Sequence, residues 1–179
     1  MARYELQPDV SLVHVFARST LRPFTGAAPI SGHLDVSVRD GRLDLDQPCA
    51  GELRLRVDEL RGEVPHLDRE LRNRMDSIRY PTVTAVLTEV RPGSAGGYRM
   101  SGELTLHGRT KLVSGDATVV VKPDGPLTLQ GVLHLDMRDF GLVPPRLLVL
   151  RVHPEIEVRL GVTAAAVSPA GSRGAGTTE

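Results

Sequence analysis

At 179 residues, with 22 basic and 22 acidic side chains and no net charge, the chain has the length of one domain. It lacks the positive surplus on which non-specific nucleic-acid binding draws. One cysteine, Cys49, excludes an intrachain disulfide, and no run approaches the ~18 apolar residues that span a membrane.

In chain order, the N-terminal stretch MARYELQPDVSL carries neither an apolar h-region nor a cleavage site. That predicts a cytoplasmic protein. Strands are expected at 10–18, 30–39 and 42–46. GELRLRV follows, with Leu53, Leu55 and Val57 on one side and Glu52, Arg54 and Arg56 on the other. The two-residue period then breaks. Leu67, Leu71, Met75 and Ile78 recur at i, i+4, i+8 and i+11, a narrow apolar stripe that predicts one helix. Pro65 suits its start, and Tyr80-Pro81 ends it, because the residue before proline is pushed out of helical geometry.

Alternation resumes at 81–90. It continues in YRMSGELTLHG, with Tyr98, Met100, Leu104 and Leu106 on one face, and at 112–122. LTLQGVLHLDM sets Leu127, Leu129, Leu133, Leu135 and Met137 against Thr128, Gln130, His134 and Asp136. EIEVRLGV sets Ile156, Val158, Leu160 and Val162 against Glu155, Glu157 and Arg159. Such sheets have one wet and one dry face. Short strands at near-regular spacing, parted by Asp40-Gly41, Pro92-Gly93, Gly96-Gly97 and Pro123-Asp124-Gly125-Pro126, predict a sandwich or barrel. A single domain over 1–165 is expected, with a disordered tail of small and breaker residues over 166–179.

Chemistry is thinly written. Three His-Leu-Asp triplets stand at 33–35, 66–68 and 134–136. On a strand, His33 with Asp35 or His134 with Asp136 share a face and could hold a metal or pair a base with its orienter. Both alternate with leucines, which places them on the polar outer face as solvated groups. Neither a Gly-x-Ser-x-Gly elbow nor a phosphate-loop or dinucleotide glycine pattern occurs. No catalytic residue, metal or cofactor is assigned.

RELRNRMDSIRYPTVTAVL, YRMSGELTLHGRTKLV, LHLDMRDFGL and VHPEIEVRLGVTA, in that order, resemble segments of the YceI-like family. The second is similar to its Gly-x-Leu-Thr-x-x-Gly-x-Thr-Lys strand. The third is similar to its Arg-x-Asp-Phe-Gly segment, with one residue fewer between Arg138 and Asp139. The resemblance covers about residues 4–165. It implies an all-β fold with one short helix, an antiparallel lipocalin-like barrel of about eight strands, and non-catalytic binding of an elongated apolar lipid such as a polyisoprenoid or isoprenoid quinone.

With the aliphatic inner faces, it predicts a lumen lined by Leu53, Leu55, Val57, Met100, Leu104, Leu106, Leu133, Leu135, Phe140, Ile156, Val158 and Leu160. Arg69, Arg72 and His107 are the candidate head-group contacts. The expected partner is that apolar lipid or isoprenoid, not nucleic acid, with a homodimer held open. The alternative is a packed, stress-related barrel that meets a protein partner through its loops or Pro144-Pro145.

Overall fold

A computed structural model describes residues 1–63, 65–144, 146–147 and 150–167. Among them run nine substantial strands: β1 (Ala2–Leu6), β2 (Leu12–Ser19), β3 (Phe24–Val36), β4 (Ala50–Arg56), β5 (Thr82–Pro92), β6 (Tyr98–Leu106), β7 (Arg109–Val121), β8 (Leu127–Asp136) and β9 (Leu150–Ala166). One helix, α1 (Pro65–Arg74), lies between β4 and β5.

Strands β2 to β9 pair antiparallel with their chain neighbours, and β9 returns to β2, closing an eight-stranded barrel. Closure removes the open edges that a flat sheet would expose. The expected barrel is therefore present. Dry faces meet inside: Val13, Ile30, Leu104, Leu129, Val158 and Val162 are all buried. β1 is a ninth strand that wedges into the seam at one end, with Tyr4 opposite both Leu34 of β3 and Ala166 of β9. Ser11 clamps the same seam from within the wall. Its hydroxyl donates to the Thr163 carbonyl and accepts from the Thr163 N–H, both at 3.1 Å, and the residue is wholly buried.

Several boundaries differ from the sequence reading, each for a physical reason. β3 starts at Phe24, not 30, because the small-residue run Gly26-Ala27-Ala28 pairs with β2. Within it, Gly32 has φ +136°, and a Cβ there would lie 1.9 Å from the Glu52 carbonyl oxygen, so only glycine fits that close crossing to β4. The expected strand 42–46 shrinks to Arg42–Leu43, which pairs with Val38–Arg39 across the Asp40-Gly41 turn. α1 stops at Arg74. Met75 still packs inward, but the chain turns at Asp76 (φ +47°), and Ile78, assigned above to the apolar stripe, is 95% exposed. β1 had no counterpart in that reading. β9 runs to Ala166, where β1 gives it a partner. Residues 168–179, most of the expected tail, lie outside the described residues, as does Pro145.

Candidate functional site: an aliphatic cavity under the helix

The barrel interior contains a cavity of about 170 Å³. Every barrel strand supplies part of its wall. Val13 and Val15 come from β2, Ile30 from β3, Val83 and Ala85 from β5, and Val113 from β7. Leu60 and Met75, from the segments flanking α1, complete it at the helix end. Register stacks the wall in layers: Leu53 opposite Ala85, Ala85 opposite Leu104, Leu133 opposite Val158, Leu135 opposite Ile156. Room exists where alternation turns a small residue inward: Ala85 of β5 sits between Leu53 and Leu104 on the wall.

Of the twelve residues expected to line the lumen, nine border this cavity: Leu53, Leu55, Leu104, Leu106, Leu133, Leu135, Ile156, Val158 and Leu160. Three sit elsewhere in the core. β4 ends at Arg56, so Val57 belongs to the following turn, buried there with its N–H donating to the Pro81 carbonyl at 2.9 Å. Phe140 is buried in the tight turn after β8. Met100 lies deeper, beside Leu34, Val36, Leu43, Leu127 and Leu129, where the remaining gap is only about 10 Å³. The wall residues that the sequence reading omitted had a partial signal: Val13 and Val15 flank His14, Val83 and Ala85 flank Thr84, and Met75 belonged to the helix stripe.

α1 is tied over this end by its one buried carboxylate. Asp68 Oδ1 accepts from the Gly62 N–H at 2.7 Å, and Gly62 itself pairs with Gly26 of β3. At the helix C-terminus, Arg74 donates to Glu70 at 2.7 Å and to the Val143 carbonyl at 3.3 Å. His107 occupies the β6–β7 turn with φ +52°, followed by Gly108 at +71°. Its Nδ1 is 3.2 Å from the Phe140 carbonyl oxygen, and its ring meets Tyr80 edge-on at 5.1 Å. A Cβ on Gly108 would lie 2.6 Å from the Tyr80 ring, so this turn is seated hard against Tyr80. Arg69 is exposed and Arg72 half-buried on α1; neither side chain has an ion pair among the described residues.

The outer wall offers no comparable chemistry. Asp35 takes a two-pronged hydrogen bond from Arg3, both arms 2.8 Å, and Asp136 is held likewise by Arg138. Those guanidinium partners hold both carboxyls below the usual range, the opposite of what a general acid near neutral pH requires. Burial pushes the Cys49 thiol up, with Asp44 adding to it, away from a reactive thiolate. Among the described residues no three His, Cys, Asp or Glu side chains gather around a point that could hold a metal. Two hollows on the outer wall are larger, about 520 and 590 Å³, but charged and polar groups such as His14, Asp116, Arg159, Glu155 and Glu157 border them. No helix among the described residues is long and apolar enough to cross a membrane.

The family model of the YceI-like domain matches residues 4–164. Among solved structures, Burkholderia cenocepacia BcnA superposes with a TM-score of 0.74 at 17% identity, covering 89% of this chain and 99% of that one. A polyisoprenoid binding domain from Saccharophagus degradans, implicated in plant cell wall breakdown, gives 0.69 at 14% identity over 93% and 100%. The Campylobacter jejuni YCEI protein gives 0.60 at 16% identity over 78% and 82%. At these identities the likeness is one of fold. No curated protein matches the sequence.

Proposed function

The chain belongs to the YceI-like domain family, and from that premise we propose that its barrel binds the tail of an elongated apolar lipid, of the polyisoprenoid or isoprenoid-quinone kind, without acting on it chemically. The observation that carries this reading is the 170 Å³ cavity itself, walled by aliphatic side chains from all eight barrel strands. Among the described residues Arg54 is the one charged residue at the wall; its guanidinium is turned outward, where Nε donates to Glu52. Such a wall has no directional contacts to offer. It selects by excluding water, at about 0.8 kcal/mol per methylene buried. The Saccharophagus degradans domain, described as polyisoprenoid binding, has the same fold and supports the same ligand class.

The helix end is the natural place for a polar head. Arg69 and Arg72 lie on the element that covers the cavity, and a phosphate or carboxylate would complete their coordination. In this reading His107, in the β6–β7 turn against Tyr80, offers Nε2 to the head while Nδ1 faces Phe140. Native mass spectrometry and lipid extraction of the purified protein test the proposal. The expected result is a bound apolar lipid, or uptake of an added polyprenyl alcohol with weaker retention of its phosphate in Arg69→Ala/Arg72→Ala. Protein that is empty and takes up no isoprenoid would overturn it.

A further inference from the structure

We infer that the lumen is blind-ended: it accepts about ten carbons of a branched apolar chain, whether a free short isoprenoid or the tip of a longer one, and leaves the rest outside the helix end. This deepens the carrier reading and rests on it.

Volume sets the ceiling. An apolar cavity of about 150 Å³ holds a benzene-sized guest. The cavity here is about 170 Å³, so one isoprene unit fits as it stands, and a second fits with ordinary leucine rotamer changes. Below it the barrel is full. The gap beside Leu127 and Leu129 is about 10 Å³, at or under the space one water needs.

That floor is also pinned. Leu127 is 1% exposed and Leu129 6%. The buried Tyr98 anchors the neighbouring hairpin, its hydroxyl accepting from the Leu43 N–H at 3.0 Å. A further isoprene unit needs space that Leu34, Leu43, Leu127 and Leu129 already fill, so whatever apolar contact the tail would gain there the packed layer would lose. A tail therefore stops at the floor instead of pushing through it.

The test is a chain-length series of prenyl alcohols of five, ten, fifteen and twenty carbons, titrated by calorimetry and competed in native mass spectrometry against the full-length protein. Affinity should rise at least tenfold from five to ten carbons and gain less than threefold beyond. Equal binding of ten and twenty carbons means that the tip of a long tail is accepted; loss at twenty means that only a free short guest is. Both agree with a blind lumen. Leu129→Ala should move the plateau to fifteen carbons. Ala85→Leu, which fills the upper cavity and leaves the floor intact, should weaken the ten-carbon guest at least tenfold, and it decides the matter should Leu129→Ala not fold. Affinity climbing tenfold per unit through twenty carbons would overturn the depth limit while keeping the carrier reading. No binding at any length would overturn both.

Discussion

The two halves of the barrel interior are built from the same residue types and reach opposite states. Toward β1, Leu34, Val36, Leu43, Leu127 and Leu129 are each at most 8% exposed and close on a gap smaller than a water. Toward α1, Leu53, Leu55, Leu133, Leu135 and Ile156 border a cavity of about 170 Å³. Hydrophobicity is the same in both. What differs is volume at the inward positions: Ala85 stands between Leu53 and Leu104 at the cavity, whereas Leu127 and Leu129 fill the floor. The lesson is that a barrel becomes a container where a small residue faces inward among larger ones, not where it is more apolar.

The comparison breaks first at its leucines. Leu127→Ala removes a side chain from a close-packed layer and should cost about 3–5 kcal/mol, whereas Leu135→Ala, at a partly buried position, should cost about 2–3 kcal/mol. Urea unfolding measures both, and equal losses would mean that the two halves are packed alike. Next comes the tie over the open half. Asp68→Ala leaves the Gly62 N–H without its acceptor and should cost about 1–3 kcal/mol. Faster hydrogen exchange in 65–74 than in the barrel strands would show that the loss is local to the lid.

At the closed half, Ser11→Ala deletes both hydrogen bonds to Thr163 and should cost about 1–2 kcal/mol, read as a lower thermal midpoint. The smallest effect is electrostatic. Arg3 holds the Asp35 carboxyl below its usual 3.8. The stabilisation from ionised Asp35 is therefore present above about pH 4 and fades as pH falls through the lower folded value. Acid titration should loosen β1 before the barrel, and Asp35→Asn should remove that pH dependence.

The alternation of GELRLRV, YRMSGELTLHG, LTLQGVLHLD and EIEVRLGV made the strands, their inward faces and nine cavity residues legible in advance. Depth was not legible. Met100 shares a face with Leu104, so period two assigns it to the lumen, yet only closure and shear decide which layer it joins. β1 escaped notice because ARYEL is short and charged, and its strand character comes from two partners far along the chain. Ile78 fitted the helical stripe by spacing alone, and the turn at Asp76 carried it into solvent. Asp68 has no role in the sequence reading, because nothing local announces that Gly62 will present an N–H to it.

The β2–β9 seam has a kinetic corollary. Its pairs, such as Val13 with Leu160, join residues from near opposite ends of the chain, and β1 bridges the same join. Loop-closure entropy makes such contacts late. The six-strand meander from β3 to β8 can zip through local hairpins, but the final stave waits for the C-terminal strand to leave the ribosome. Until then the aliphatic interior stands open, which is when a chaperone, or an oily guest, has easiest access to it.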